Sequence, residues 1–306
     1  MSDSSAREYD YTVVDVFTTF KLKGNPLAVF PAATGISDSE MQAIAGEFNL
    51  SETVFILPPS TPSTAAKLRI FTPLSELAFA GRPTLGAAYV LSAGLPAGRS
   101  FVLEENVGLV PIEQDTDDDG NPRFWLTTPK ITLSETLDRA LGARLLNVAE
   151  SDVSADAPPQ FASAGTAFLF VNLVSPEAVD RAELQHAHLR EAAGSGSVGT
   201  FVFARREPAS STNYDVYARM FAPQSNIAED PATGSATGPL AAYMRAYGLL
   251  PPSPIAFTSE QGTKMGRRSL LRVRVETAGD DVAIKVGGSA VTVMKGRFFL
   301  DPRPNG

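Results

Sequence analysis

The chain repeats one stretch of itself, and this constrains its fold more than any other feature. Arg69-Ile70-Phe71-Thr72-Pro73-Leu74-Ser75-Glu76-Leu77-Ala78 reads against Arg219-Met220-Phe221-Ala222-Pro223-Gln224-Ser225-Asn226-Ile227-Ala228, with Arg, Phe, Pro, Ser and the closing Ala shared. Further on, Ala87-Ala88-Tyr89 matches Ala241-Ala242-Tyr243. The separation is about 150 residues, too long for a stacked repeat array and suited to a duplicated fold unit. The 306 residues are enough for two such units. We therefore expect a first half over residues 1–130 and a second over 131–306, with the last strand able to return to the first half.

Each half should be strands wrapped around one buried helix. Pro83 to Ala93 is apolar almost all round, with Pro83 suited to a first helical turn and Gly94 to the far end. Gly238 to Tyr247 has the same character. Tyr11 to Phe17, Leu27 to Phe30, Val54 to Leu57, Lys67 to Phe71, Thr200 to Ala204 and Tyr214 to Phe221 read as strands. Ser37-Asp38-Ser39-Glu40 has capping-box spacing, and Met41, Ile44, Ala45 and Phe48 then follow at helical spacing. Helices are also expected over Ser134 to Leu141 and Asp180 to Ala193. The class is α/β (α+β).

The second repeat leads into Glu229-Asp230-Pro231-Ala232-Thr233-Gly234-Ser235-Ala236, placed between a strand and a helix. Asp230 offers a carboxylate, Ser235 a hydroxyl, and Gly234 lets the backbone approach a ligand. The amides and dipole of the following helix face the same point, which suits a small anion. A plain capped helix start uses the same residue types. The repeat is what favours a site: two such helix starts could serve one ligand.

Composition removes several classes of chemistry. There is no cysteine, so thiol catalysis, disulfides and cysteine-held metals are excluded. The two histidines, His186 and His188, are two apart on a helix and do not share a face, so a histidine metal site is not expected. Asp115-Thr116-Asp117-Asp118-Asp119-Gly120 begins like a calcium loop, but its twelfth position is Leu126, so it reads as a hairpin tip. The net charge of −8, without a basic cluster, argues against nucleic-acid binding. No apolar run has membrane-spanning length, and the first residues lack the apolar core of a signal peptide. These features agree with a cytoplasmic enzyme.

What remains is carboxylate chemistry. Glu52 is the sharpest candidate in the first half, standing between a helix end and an apolar strand, flanked by Leu50 and Val54. A carboxyl lodged there could have a raised pKa, which suits a group that both takes and returns a proton. A surface or capping glutamate would fit the same position.

Several motifs together carry a resemblance. Gly24-Asn25-Pro26-Leu27-Ala28-Val29, Asn49-Leu50-Ser51-Glu52-Thr53, Ala80-Gly81-Arg82-Pro83-Thr84-Leu85-Gly86, the Glu229 to Ala236 stretch, Ser259-Glu260-Gln261-Gly262 and Met265-Gly266-Arg267 fall in the order of the PhzF family, the phenazine-biosynthesis-like isomerases. The resemblance implies the diaminopimelate-epimerase-like fold, a cofactor-independent isomerase and a homodimer. It maps the catalytic glutamate onto Glu52, the aspartate onto Asp230 and the serine onto Ser235. Arg82, Gly81, Thr233, Gly234, Ala236 and Asn25 would bind a small anionic substrate. Where the family usually has Gly-His-Pro-Thr, this chain has Gly81-Arg82-Pro83-Thr84. An arginine cannot exchange protons near neutral pH as a histidine can. Arg82 is therefore expected to clamp a substrate carboxylate or to fix Asp230. An epimerase on the same scaffold, or a binding protein that kept the fold, are the alternatives.

Overall fold

In the computed structural model, residues 6–93, 98–193, 198–206, 215–225, 227–250, 255–278 and 281–302 are described. Gly94, Tyr214 and Asn226, to which the sequence reading gave places, lie outside them. The chain divides into two compact units: residues 1–22, 26–124 and 289–306, and residues 23–25 and 125–288. No helix among the described residues is long and apolar enough to cross a membrane.

The first unit contains β1 (Arg7–Val16), β2 (Asn25–Phe30, from Pro26 onward), α1 (Asp38–Phe48), β3 (Thr53–Leu57), β4 (Ala66–Phe71), β5 (Glu76–Leu77), α2 (Gly81–Leu91), β6 (Ser100–Glu105), β7 (Gly108–Thr116) and the start of β8 (Pro122–Thr127). α1 is the crossover between parallel β2 and β3. Its capping box is formed: Ser37 accepts from the Glu40 amide, and Glu40 accepts from the Ser37 amide at 2.8 Å. On one side of the strands, Met41, Ile44 and Ala45 of α1 pack with Phe30, Phe55 and Phe71. On the other lies α2, whose Gly86 comes so close that an added Cβ would sit 2.4 Å from Leu27 Cδ2.

The second unit contains the rest of β8, then β9 (Thr132–Thr136), α3 (Arg139–Leu146), β10 (Gln160–Ser163), β11 (Ala167–Asn172), α4 (Pro176–Arg181), α5 (His186–Ala193), β12 (Gly199–Arg205), β13 (Val216–Ala222), β14 (Ile227–Asp230), α6 (Gly234–Ala246), β15 (Ile255–Gln261), β16 (Ser269–Ala278) and the first part of β17 (Asp281–Leu300). From Ser289 onward, β17 belongs to the first unit, where it runs antiparallel to β1. The parallel strands β11 and β12 are buried on both faces, as parallel strands usually are. Phe168, Phe170, Phe201 and Phe203 pack with Leu240 and Tyr243 of α6. The alternate residues Leu169, Val171, Val202 and Ala204 pack with Leu145 and Leu146 of α3 and Leu189 of α5.

Internal registers match the two units residue by residue. Ile70 pairs with Leu77, and Met220 pairs with Asp230. Phe71 pairs with Thr53, and Phe221 with Thr200. Arg69 grips Glu76 through two bonds of 2.7 Å, and its guanidinium lies 5.2 Å from the Phe71 ring. Arg219 grips Glu229 at 3.0 and 2.9 Å and lies 4.7 Å from the Phe221 ring. The repeat therefore opposes Glu76 to Glu229, where the ungapped sequence match opposes it to Asn226. The extra residues sit in the turn, which tolerates insertion while the bidentate fork fixes the strands.

Two sequence expectations need correction. Residues 134–141 are not one helix: Thr132–Thr136 pairs with β10, and Asp138 caps α3 by accepting from the Leu141 amide at 2.6 Å. The expected helix from Asp180 to Ala193 is broken. The amides of Glu183 and Gln185 donate to the carbonyls of Leu146 and Leu145 at the end of α3, so they cannot continue their own helix. The central helix of the second unit begins at Gly234, at the junction where a helix start was expected, and carries Pro239 in its interior. Proline there leaves the Ser235 carbonyl without its usual amide.

Candidate active site

In the first unit the site starts where α1 stops. Asn49 takes a left-handed conformation, φ 49°, and its amide closes the helix on Ala45. Three residues later Glu52 stands at the head of β3, with its side chain 17% exposed. It forms an ion pair with Arg82, whose side chain is only 4% exposed. Arg82 is the second residue of α2. The Ala80 carbonyl accepts from the Thr84 amide at 3.2 Å and lies 2.8 Å from the Thr84 hydroxyl. Pro83 has no N–H, so Gly81 and Arg82 carry the first two amides of this helix. The guanidinium sets a buried positive charge directly beside the Glu52 carboxyl.

In the second unit Asp230 ends β14 and is buried. Asn25 Nδ2 donates to its Oδ1 at 2.8 Å and to the Ala232 carbonyl at 2.9 Å. The Thr233 hydroxyl donates to Asp230 Oδ2 at 2.6 Å. Gln261 Nε2 donates to that same hydroxyl at 2.9 Å and to the Asp230 carbonyl at 2.7 Å, while its Oε1 accepts from the Thr233 amide at 3.2 Å. Gly262 follows with φ +77°, and a Cβ there would lie 2.5 Å from the carbonyl oxygens of both Pro231 and Arg267. Only glycine fits such a position. Arg267 in turn donates to the carbonyls of Gly24 and Lys23 at 2.8 and 3.0 Å, fixing the turn that presents Asn25.

Thr233 is the N-cap of α6. Its carbonyl accepts from the amides of Ala236 at 3.1 Å and Thr237 at 3.2 Å, and from the Thr237 hydroxyl at 2.9 Å. This is the arrangement made by Ala80 and Thr84, so Ser235 occupies the place of Arg82. Ala236 was expected to offer its amide to an anion, but that amide is engaged. Gly234 and Ser235 hold the first two amides of the helix, and the Ser235 side chain is half-buried above them.

The structure thus collects Asn25, Asp230, Thr233, Gly234 and Ser235 in one unit, and Glu52, Gly81 and Arg82 in the other. The sequence reading gave Gln261 no role, although it stood inside a recognised motif. A glutamine between a buried strand and a positive-φ glycine was the available signal. His186 is exposed, and His188 pairs with Glu191 at 3.0 Å, away from these clusters.

Comparison with known proteins places these observations in context. A family model described as phenazine biosynthesis-like protein, PhzC-PhzF, matches residues 14–296. An uncharacterized isomerase of Mesorhizobium japonicum is 36% identical over 95% of this chain and 99% of its own. Trans-2,3-dihydro-3-hydroxyanthranilate isomerase of Pseudomonas aeruginosa is 35% identical, again over 95% of this chain and 99% of its own. The crystal structure of a PhzF-family phenazine biosynthesis protein from Bacillus anthracis superposes with a TM-score of 0.85 at 22% identity, covering 95% of this chain and 99% of that one. The fold is accordingly the diaminopimelate-epimerase-like one.

Proposed function

The chain belongs to the PhzC-PhzF family and is an isomerase, and from that premise we propose that it moves a proton along a small carboxylate substrate with Glu52 as general acid and base. The observation that most supports this is the pairing of Glu52 with the buried Arg82. Glu52 takes a proton from one carbon of the substrate. The electron pair left behind delocalises into the adjacent unsaturated system, and Glu52 returns the proton to a second carbon on the same face. Arg82 and the amides of Gly81, Gly234 and Ser235 bind the substrate's anionic group, and the Ser235 hydroxyl orients it. Asn25 and Thr233 keep Asp230 in a single rotamer, so that it orients the substrate without moving the proton.

An epimerase needs a second base on the opposite face of the carbon. Thr53 and Thr200 are register equivalents, so the residue matching Glu52 in the second unit is Gly199. The residue matching Arg82 is Ser235. The duplication supplies no second carboxylate at either place, so an epimerase would have to use Asp230 as the opposing base. The test is turnover of trans-2,3-dihydro-3-hydroxyanthranilate, and of small carboxylic acids found by thermal stabilisation, in the parent and in Glu52→Gln. The variant should fold and bind, and should lose about a hundred- to ten-thousand-fold in rate. A folded Glu52→Gln protein that turns over at the parent rate would move the chemistry elsewhere, with Asp230 the next residue to replace.

A further inference from the structure

Glu105 is a buried titratable group that the proposed reaction does not use. It ends β6 beside the first turn of α2. Its Oε1 lies 2.6 Å from the Thr84 hydroxyl oxygen, and its Oε2 is buried without a hydrogen-bond partner among the described residues. The Thr84 oxygen also lies 2.8 Å from the carbonyl of Ala80. A threonine hydroxyl has one proton to donate. The Ala80 carbonyl can only accept, and an ionised carboxylate can only accept. If Glu105 were ionised, one of the two short contacts would set acceptor against acceptor. If Glu105 is a neutral acid, its O–H donates to Thr84, Thr84 donates to Ala80, and both contacts are hydrogen bonds.

The duplicated unit supports the second assignment. The parallel pairings Ala66 with Leu103 and Val216 with Ser259 make Glu105 the counterpart of Gln261. Gln261 is a neutral group that donates to the N-cap residue of α6. Thr237, the counterpart of Thr84, likewise donates its one hydroxyl proton to the N-cap carbonyl.

The charged groups on the surrounding elements are committed elsewhere. Glu104, next along β6, accepts from Ser60 and Thr61. Arg82 on α2 pairs with Glu52, Arg69 on β4 grips Glu76, and the residue opposite Glu105 on β7 is Gly108. No charged group contributes to the shift of Glu105. Burial pushes its carboxyl up to about 8, against which the Thr84 bond works only in part. We propose that Glu105 is held as a neutral carboxylic acid that donates to Thr84 and thereby fixes the first turn of α2, the turn that carries Arg82. The relevance to catalysis rests on the isomerase reading, whereas the protonation and the positioning do not.

The test needs no substrate, so it succeeds or fails apart from that reading. A group whose folded-state value lies above its unfolded one takes up a proton on folding. The parent should therefore lose stability as pH rises from about 5 to about 8, and the loss should level off above that. Glu105→Gln keeps a neutral donor and has no such loss. Its melting temperature should gain on the parent across that window by on the order of 5–10 °C. Infrared spectra at pH near 6 should show a protonated carboxylic acid band in the parent that Glu105→Gln lacks. Hydrogen exchange at the Thr84 amide should accelerate in Thr84→Val and in Glu105→Ala, and should stay at the parent rate in Glu105→Gln. A melting difference constant with pH, together with no protonated band, would show Glu105 ionised and overturn the proposal. A protonated band with unchanged exchange in Thr84→Val would refute the positioning role. If Glu105→Ala does not fold, the glutamine and valine variants decide.

Discussion

Arg82 sets a buried positive charge directly beside the Glu52 carboxyl. In Arg82→Ala the Glu52 carboxylate loses its ion-pair partner, so turnover should fall. Substrate binding should also weaken, by about 1–3 kcal/mol for loss of a charge-assisted contact. Arg82→Lys keeps the charge but not the planar fork, and should recover turnover better than affinity. Kinetics with both variants check this. Unchanged affinity with abolished turnover would give Arg82 a role in the chemistry itself. At this scale the sequence named the candidate residues, because their motifs were recognisable. The Glu52–Arg82 pairing was hidden because it joins a loop to a helix start, and no local pattern encodes that contact.

At the scale of the element, the central helices sit where they do because glycine lets other atoms come close. Gly→Ala within a helix normally stabilises by about 1 kcal/mol. At Gly86 the added Cβ would meet first the far end of Leu27, 2.4 Å away, and a flexible side-chain tip can swing aside. At Gly238 it would meet Oγ1, Cγ2 and Cβ of Thr128 at 2.4, 2.5 and 2.9 Å. A Cβ cannot move without its backbone, so here overpacking should outweigh propensity. Gly238→Ala should destabilise by about 1–3 kcal/mol, and Gly86→Ala by distinctly less. Denaturant melts of the two variants measure the difference, and equal losses would mean that Thr128 yields as easily as Leu27. Buried helices with no polar face were legible from composition. The apolar run was legible from Gly238, and α6 extends it through Pro239 back to Gly234. The break between α4 and α5 was hidden, since the amides that stop the helix find their acceptors on α3.

At the scale of the whole molecule, the duplication was readable because the Arg and Phe of each fork recur in sequence. The registers add that Leu77 stands where the second unit has Asp230, so the two copies have diverged at a candidate site residue. The order of the chain has a further consequence. The first unit is not complete at residue 124, because residues from Ser289 onward belong to it. There β17 pairs with β1 from Ala290 opposite Val16 to Leu300 opposite Arg7. Phe298 from this strand stacks on Phe48 and meets Phe30 edge-on, and Gly296 lies against the Tyr11 ring. Truncation after Gly288 would remove the antiparallel partner of β1 and expose the aromatic cluster over α1. Without it, the strand has unpaired backbone groups along a long edge, a costly state even for a stable domain. The truncated chain should therefore lose cooperative structure in the first unit while the second, which keeps its own strands and core, retains protection. Hydrogen exchange resolved by segment measures this, with β1 and β2 expected to exchange freely and β11 to β13 to remain slow. A synthetic peptide spanning 289–302 should restore protection to β1 in proportion to its concentration, since binding to the folded form alone shifts the equilibrium. A truncated chain that protects β1 as well as the full one would show that the first unit closes without its last strand.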